Sequence, residues 1–262
     1  MVKNKFVVYT ALFGDYDDLI EPKEKYVGCD FICFTDQKNL KSNIWEIRYV
    51  DKCDLPPNMM NRKYKILPHL FLSEYKWSMY MDSNIFIIGN PKILANRYLN
   101  NYNIAIPKHF SRNCIYKEAE IVIKAKKIDK IIVGKTLKLF IDKGFPRNFG
   151  LTENNIIFRN HNNIEIINLM TEWWDFLNQN IQRDQISFMY LIWNNKINLN
   201  ILDINARGNK YFRIKPHKAE NIDCLFSTFY IRILEFIYNH PKLAKLQLLL
   251  SVYKKICNKF LK

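Results

Sequence analysis

Asp82 is the residue whose position most strongly suggests chemistry. It follows the largely apolar residues 77–81 and precedes Ser83 and Asn84. Burying an unpaired carboxylate is costly, so Asp82 has a reason to face a cation or a polar ligand. Asn84 would point to the same side of an extended chain, and an oxygen pair of this kind suits Mg²⁺ or Mn²⁺ holding a diphosphate. The alternative is that Asp82 only caps the next turn.

Two basic side chains lie before that segment, on a predicted helix. Arg62 and Lys65 are three positions apart, which places them on one face of the helix. Cations at this place would neutralise a diphosphate leaving group bound beside Asp82. Because the sequence contains 30 lysines, a solvated surface cluster is the alternative interpretation.

A polar triplet, Arg183-Asp184-Gln185, opens an apolar helix later in the chain. Its side chains would lie near the positive end of the helix dipole. Such a site could bind sugar hydroxyls or stabilise a developing positive charge. The alternative is an N-terminal helix cap with surface neighbours.

Two further segments carry residues that suit a binding site. Residues 108–118 follow a predicted strand, so His109, Arg112 and Glu118 could reach a cleft at the ligand-bearing edge of the sheet. After the last predicted strand, His217 would serve as a third metal ligand and Lys215 as a phosphate contact. A structural or surface role is the alternative for His217.

Alternating strands and helices must position these side chains. The spacing of apolar residues predicts strands at 5–12, 30–35, 44–50, 77–88 (interrupted at 82–84), 104–107, 155–159 and 199–204. Helices are predicted at 58–75 with a break at Pro68, after Pro91, and at 114–130, 164–178 and 183–193. This order predicts an α/β fold with a central, mostly parallel sheet that covers residues 77–88 on both faces.

The C-terminal residues differ in charge from the rest. Residues 231–262 carry seven basic side chains and one acidic one, a net charge of +6, with Leu and Ile at helical spacing. We therefore expect one domain over residues 1–225 and a basic amphipathic helical tail over 226–262. The tail would contact an anionic membrane surface, where each basic residue contributes roughly 1 kcal/mol. Packing of the tail on the domain is the alternative.

Composition excludes several classes of protein. Of the 262 residues 48% are apolar, which excludes intrinsic disorder. The sequence contains no glycine-rich dinucleotide or phosphate-loop motif, no Gly-x-Ser-x-Gly and no His-Glu-x-x-His. The formal net charge of +15 suggests nucleic-acid binding, but only 10 residues are Arg, on which phosphate and base recognition relies. We therefore expect no nucleic-acid partner.

Cysteine usage and hydropathy indicate the compartment. The six cysteines form no Cys-x-x-Cys pair, so buried free thiols in a reducing compartment are expected. No segment approaches the ~18–20 uncharged residues that span a bilayer. These features predict a cytoplasmic protein, which the basic tail would hold at the inner face of the plasma membrane.

Seven segments, in this order, resemble the glycosyltransferase-like domain family that bacterial polysaccharide gene clusters share with plant pectin- and mucilage-associated proteins. The segments are residues 8–17, 30–36, 61–68, 81–84, 109–118, 150–153 with Arg159, and 183–188. More distantly, their layout is similar to the retaining galactosyl- and glucosyltransferases of GT-A fold. The resemblance implies a GT-A-like fold and a sugar-nucleotide-dependent glycosyltransferase of the hexosyltransferase type.

The resemblance also implies roles for individual residues. A UDP-sugar donor would contact Tyr9, Thr10, Ala11, Asp36, Arg62, Lys65, Ser83 and Lys215. Mn²⁺ or Mg²⁺ would be held by Asp82, Asn84 and His217. Catalysis would depend on Asp184, Gln185 and Glu153. The acceptor, a surface polysaccharide or a lipid-linked glycan, would contact His109, Arg112, Glu118 and Arg183.

Two other classes of protein stay open at this point. A non-catalytic nucleotide-sugar- or glycan-binding module on the same fold would bind the donor without turnover. A basic nucleic-acid-binding protein would show salt-sensitive binding to any duplex, although the sequence offers no recognition helix or aromatic platform for it.

Overall fold

The computed structural model describes residues 6–51, 53–124, 129–204 and 209–215. Its strands are β1 (Phe6–Leu12), β2 (Cys29–Thr35), β3 (Glu46–Tyr49), β4 (Ser78–Met81), β5 (Ile85–Ile87), β6 (Ile104–Pro107), β7 (Ile156–Arg159), β8 (Leu199–Leu202) and β9 (Phe212–Ile214). Its helices are α1 (Pro57–Ile66), α2 (Pro68–Phe71), α3 (Pro91–Tyr98), α4 (Ile115–Lys124), α5 (Lys130–Asp142), α6 (Ile164–Gln179) and α7 (Asp184–Asn194).

A mixed sheet forms the centre of the fold. Within the described ranges it has seven strands in the order β3-β2-β1-β4-β7-β6-β8. Strands β1 to β4 pair in parallel, as do β6 and β8, whereas β7 is antiparallel to both of its neighbours. The predicted α/β class with a central, mostly parallel sheet is confirmed.

Both faces of the sheet are covered. Along β1, Val7 and Tyr9 pack into the apolar cluster on one face, while Phe6 and Val8 pack into the cluster on the other, as the alternation of side chains in a strand requires. Helices α6 and α7 contribute to the first cluster and α3 to the second. All four residues of β4 are buried, as predicted for a strand in the middle of a covered sheet.

Residues 77–88 do not form one strand. The chain turns after β4, where the backbone N–H of Ile85 donates to the carbonyl of Asp82 at 3.1 Å. Strand β5 then leaves the central sheet and pairs antiparallel with β9, a strand that the sequence pattern did not predict. The prediction of a single interrupted strand is therefore wrong, because the polar residues at 82–84 turn the chain into a second sheet.

The predicted helices after β3 and β6 are each interrupted. The predicted helix 58–75 ends at Ile66 and restarts at Pro68, where proline has no N–H to continue the helical ladder. The predicted helix 114–130 is replaced by α4 and the unpredicted α5. Asp129 begins α5 by accepting from the backbone N–H groups of Ile131 and Ile132, at 2.7 and 3.2 Å.

Burial of free thiols was predicted, and three cysteines fit. Cys29, Cys33 and Cys114 are buried and unpaired, whereas Cys53 is exposed. Burial raises the pKa of Cys33 to about 12, which keeps it a protonated, unreactive thiol.

No helix in the described part of the chain combines the length and the apolar character needed to cross a bilayer. The predicted tail over 226–262 lies outside the described residues, so its helical form and its contacts remain predictions. The domain division at residue 225 remains a prediction as well.

Candidate active site

A cavity of about 550 Å³ opens where β1 and β4 end. Ligands of open α/β sheets bind at this carboxyl edge. Six of the predicted site residues line it: Arg62, Lys65, Asp82, Ser83, Arg183 and Asp184. The remaining wall is formed by Leu12, Phe13, Tyr16, Asp17, Pro57, Asn58 and Asn61. The expectation that Arg62 and Lys65 share one helix face is confirmed.

A buried ion pair joins two sides of the cavity. The Nζ of Lys65, near the end of α1, donates to Oδ2 of Asp184, the first residue of α7, at 2.7 Å. Both residues are buried, and Lys65 Nζ also lies 5.2 Å from the centre of the Tyr80 ring. The sequence interpretation assigned Lys65 to the diphosphate, but in this structure its charge is already matched by Asp184.

Asp184 is an ionised group at neutral pH. Burial alone would raise the pKa of its carboxyl, but the charges of Lys65, Arg62 and Arg183 and the hydrogen bond from Lys65 hold that pKa well below its usual range. A carboxylate of such low basicity is a poor proton donor and a weak general base at neutral pH. Its chemistry is therefore electrostatic: it can stabilise a positive charge that develops in the cavity.

The Asp82 carboxylate is held by a phenol from its own strand. The hydroxyl of Tyr80 donates to Asp82 Oδ1 at 2.8 Å, and the Asp82 backbone N–H donates to the carbonyl of Asn155 at 3.0 Å. Burial and the neighbouring Asp82 charge raise the pKa of Tyr80 well above its ordinary value, so the phenol stays protonated. This bond orients Asp82 toward the cavity.

Asn84 makes hydrogen bonds to Lys215. Because the chain turns here, Asn84 is absent from the cavity wall; its Nδ2 donates to the carbonyl of Lys215 at 2.8 Å, and the Lys215 N–H donates to its carbonyl. The turn at residues 82–84 replaces the extended chain on which the expected pairing of the two oxygens was based, and the metal role of Asn84 stays a prediction. Asn84 anchors Lys215, an exposed residue directly after β9, and Lys215 is likewise not on the wall.

The site fits a divalent cation only in part. Asp82 and Ser83 supply oxygen donors on the cavity wall, the ligand type that Mg²⁺ and Mn²⁺ prefer. No three His, Cys, Asp or Glu side chains of the described residues group closely enough to hold a metal. His217, the third predicted ligand, lies outside the described residues.

Two arginines retain hydrogen-bonding capacity at the cavity. Arg62 donates from Nη1 to the carbonyl of Asn58 at 2.9 Å, and Arg183 donates from Nη2 to Gln185 Oε1 at 2.5 Å. The Nε atoms of both arginines are buried and find no hydrogen-bond acceptor among the described residues. A guanidinium binds phosphate oxygens through its N–H groups, and both arginine side chains lie on the cavity wall, a position that suits an anionic ligand.

The predicted acceptor residues form a buried ionic cluster behind Arg183. Arg112 Nε donates to Glu118 Oε2 at 2.6 Å, and Arg183 Nη2 lies 3.7 Å from Glu118 Oε1. His109 accepts at Nδ1 from the backbone N–H groups of Ser111 and Arg112, and its Nε2 lies 3.1 Å from Arg112 Nη2 and 3.9 Å from Glu118 Oε2. His109, Arg112 and Glu118 are thus brought together, but none of them is on the cavity wall; they brace Arg183.

Glu153 and Gln185 lie beside that cluster. Glu153 is buried and accepts from the Phe110 backbone N–H at 3.3 Å and from Asn155 Nδ2 at 3.1 Å. Gln185 Nε2 donates to the Glu153 carbonyl at 3.3 Å. Of the three predicted catalytic residues, only Asp184 reaches the cavity wall.

The first strand supports the cavity from below. Tyr9, Thr10 and Ala11 are fully buried and do not line the cavity. The next two residues, Leu12 and Phe13, line it instead. The strand therefore presents its last residues, rather than its middle, to a ligand.

Asp36 has a supporting position as well. Its Oδ1 accepts from the Gly14 backbone N–H at 3.0 Å. Gly14 has a φ of +69° and lies so close to α1 that an added Cβ would stand 3.2 Å from Pro57 Cβ, so only glycine suits this turn. Asp36 thus holds the loop that carries Tyr16 and Asp17 to the cavity.

Sequence reasoning gave no role to two kinds of residue that the structure places at the site. Tyr16 and Asp17 line the cavity, and the rule that ligands bind at strand ends would have indicated them, because they follow β1 directly. Arg159 is fully buried in β7 and donates from Nη2 to the Tyr9 hydroxyl and to the Lys65 carbonyl. It fixes the backbone of Lys65 from below, and no sequence pattern signals this contact.

Comparison with known proteins identifies the family of this chain. A search of curated proteins finds no match. Among solved structures, the apo structure of the WbbM bifunctional glycosyltransferase matches with a TM-score of 0.42 and 11% identity over 76% of this chain. The match covers 38% of that protein, so this chain spans about two fifths of its length. The model of the TOD1/MUCI70 glycosyltransferase-like domain matches residues 1–213, and the chain belongs to this family.

Proposed function

We propose that the protein transfers a sugar from a nucleotide-diphosphate sugar, with a UDP-sugar the expected donor, to a hydroxyl of a surface-polysaccharide or lipid-linked acceptor. Membership of a glycosyltransferase-like family supports transfer chemistry. The observation that carries the proposal is the cavity itself, because it brings Asp82, Asp184, Arg62 and Arg183 together at the carboxyl ends of the strands.

The charges of the cavity suit a diphosphate leaving group. Three basic side chains, Arg62, Lys65 and Arg183, share the wall with three acidic ones, Asp17, Asp82 and Asp184. Because Lys65 is matched by Asp184 at 2.7 Å and Arg183 lies 3.7 Å from Glu118, Arg62 is the cation most available to phosphate oxygens, with Arg183 second. Guanidinium groups bind such oxygens in a bidentate manner, which also orients the donor.

The reaction exchanges one bond at the anomeric carbon. The acceptor oxygen forms a bond to that carbon while the bond to the diphosphate oxygen breaks, and the hydroxyl proton passes to the departing diphosphate or to water. Positive charge that develops on the sugar would be stabilised by the ionised Asp184, and negative charge on the diphosphate by Arg62 and Arg183. Preorganised charges of this kind are often the largest contribution to catalysis.

Asp82 and Ser83 would hold Mn²⁺ or Mg²⁺, which when bound supplies further positive charge to the leaving group. The hydrogen bond from Tyr80 keeps the Asp82 carboxylate in one orientation for this purpose. Removing the group that orients a metal ligand typically lowers the affinity for the metal 10–100-fold.

The test is a nucleotide-sugar screen followed by turnover measurements. Thermal shift with each donor, with and without Mn²⁺, identifies the ligand, and donor hydrolysis or transfer is then measured for Asp82→Ala and Arg62→Met. We expect both variants to lose at least 100-fold in kcat/KM, since each removes charge stabilisation at the leaving group. Asp175→Ala and Arg97→Met, at exposed positions on α6 and α3, serve as matched controls. Wild-type turnover in Asp82→Ala and Arg62→Met would contradict the proposal.

A non-catalytic nucleotide-sugar-binding module is the second candidate. One observation favours it: Lys65 and Asp184 neutralise each other at 2.7 Å. This candidate predicts donor binding that Arg62→Met weakens, with no hydrolysis or transfer by the wild-type chain. Turnover by the wild-type chain rejects it.

A further inference from the structure

Exposed apolar side chains cluster on the α4–α5 hairpin and the loop that follows it. Across the described ranges thirteen large apolar side chains are exposed. Five of them lie between residues 115 and 149: Ile121, Ile131, Ile132, Ile141 and Phe149. Helix α5 carries three of these, whereas α3 and α6 carry one each, so the exposure is a property of this unit rather than of helices in general.

The orientation of α5 is set by its buried side. Val133, Thr136 and Phe140 are buried, and the Phe140 ring stacks on Tyr190 of α7 with 4.2 Å between ring centres. The opposite side, which we call the α5 face, consists of the exposed residues Ile131, Gly134, Lys135, Lys138 and Ile141. Their spacing places them on one side of the helix.

The charge around the α5 face is positive. Between residues 129 and 147 five exposed basic side chains, Lys130, Lys135, Lys138, Lys143 and Arg147, stand against two exposed acidic ones, Asp129 and Asp142, a net charge of +3. Isoleucine and lysine side by side on an exposed helix are typical of helices that lie in a membrane interface. A soluble polyanion would use the lysines but would gain nothing from the exposed isoleucines.

The hairpin is joined to the candidate active site at its base. Helix α4 begins directly after the cluster of His109 and Arg112, and Arg112 is paired with Glu118 of α4 at 2.6 Å. The returning chain is closed by a hydrogen bond from Gly150 N–H to the Asn113 carbonyl at 3.1 Å. The hairpin therefore extends from the same edge of the sheet as the cavity.

We propose that the α5 face docks on an anionic lipid bilayer, with its lysines at the phosphate headgroups and its isoleucines at the acyl boundary. Docking does not depend on the proposed function. The consequence of docking does rest on the proposed function: if the protein transfers sugars, docking brings the cavity to an acceptor held in the membrane. The α5 face would act in addition to the predicted tail, which lies outside the described residues.

The test is co-sedimentation of the full chain with phosphatidylcholine vesicles that do or do not contain phosphatidylglycerol. Each basic residue near an anionic surface contributes about 1 kcal/mol, so Lys135→Ala with Lys138→Ala should lower the partition coefficient about thirtyfold, at 1.4 kcal/mol per factor of ten. Ile131→Ser with Ile141→Ser should also weaken binding. Lys25→Ala with Lys41→Ala, both exposed on the N-terminal half, and Ile164→Ser on α6 should bind as wild type.

Four results would overturn the proposal. Two are the absence of binding by the wild-type chain to anionic vesicles and undiminished binding by the lysine variant. The third is weaker binding by the lysine variant but not by the isoleucine variant, which would indicate a soluble polyanion, and the fourth is a wild-type dimer that the variants dissociate, which would make a second copy the occupant. Turnover with a soluble acceptor, measured without vesicles, separates this proposal from the proposed function. Vesicle binding without any turnover would refute only the function.

Discussion

Removing one partner of the buried Lys65–Asp184 pair gives the most direct test of how the cavity is held together. Asp184→Asn leaves Lys65 buried, with Arg62 and Arg183 nearby and no matching carboxylate. Loss of one partner from a buried pair costs about 3–5 kcal/mol, because the remaining charge is uncompensated. We therefore expect Asp184→Asn to lower the free energy of unfolding by about 4 kcal/mol.

The opposite change should cost less. Lys65→Met removes one cation, but the charges of Arg62 and Arg183, which also hold the Asp184 pKa down, remain. We expect a loss of about 1–2 kcal/mol, since the carboxylate keeps two partners of opposite charge. Because the residues are in contact, the double variant should cost about 2 kcal/mol less than the sum of the single variants.

Urea denaturation at pH 7, followed by tryptophan fluorescence, measures all three variants. The folded-state pKa of Asp184 lies below its unfolded value of 3.8, so the contribution of the pair is fully present above that pH and is lost only as pH falls below it. Asp175→Asn, exposed on α6, is the control and should match the wild type. The reasoning is refuted if the free energy of unfolding of Asp184→Asn lies within about 1 kcal/mol of the wild-type value, which is less than the energy of one pKa unit. It is also refuted if Lys65→Met loses more stability than Asp184→Asn.

Four further substitutions probe other parts of the structure. Tyr80→Phe removes the hydrogen bond to Asp82 and should cost about 1 kcal/mol in urea denaturation; unchanged stability would show that Asp82 is held by other contacts. Burial lowers the pKa of His161 from 6.5 to about 4, so the unfolded chain binds more protons and stability should fall by about 3 kcal/mol as pH drops from 6.5 to 4. His161→Gln should flatten that part of the pH profile, and an unaltered slope would contradict the assignment. Gly14→Ala should lower the free energy of unfolding by at least about 1 kcal/mol, since the φ of Gly14 is +69° and the added Cβ would lie 3.2 Å from Pro57 Cβ. Gly134→Ala, on α5 with nothing within 4 Å of the added Cβ, should instead stabilise the protein by up to about 1 kcal/mol. Equal effects in the two variants would refute the argument.

Much of the site could be predicted because local spacing and one topological rule determine it. Arg62 and Lys65 share a helix face through the helical period alone. Asp82 follows a strand with apolar residues on both sides, which places it at the carboxyl edge of a covered sheet. The α/β class follows from the alternation of elements in the same way.

Long-range contacts could not be predicted. The ion pair joins Lys65 to a residue 119 positions away, and no local pattern encodes such a distance. The antiparallel direction of β7 and the position of Arg159 beneath Lys65 depend on how the chain returns after the α4–α5 hairpin. The turn at residues 82–84 was missed because an extended chain was assumed there, and α5 was missed because its capping residue, Asp129, was included in the preceding helix.

The order of the strands has a consequence for the way the protein is made. The chain up to Met81 already contains β1 to β4, which pair in parallel, but the second edge of β4 stays unpaired until β7 has been synthesised. Asp184 is synthesised later still, 119 residues after Lys65, so the ion pair cannot form until those residues have been added. At about 5–20 residues per second this delay lasts roughly 6–24 seconds. During that interval the nascent chain has an exposed strand edge and an incomplete cavity, the situation in which chaperones bind.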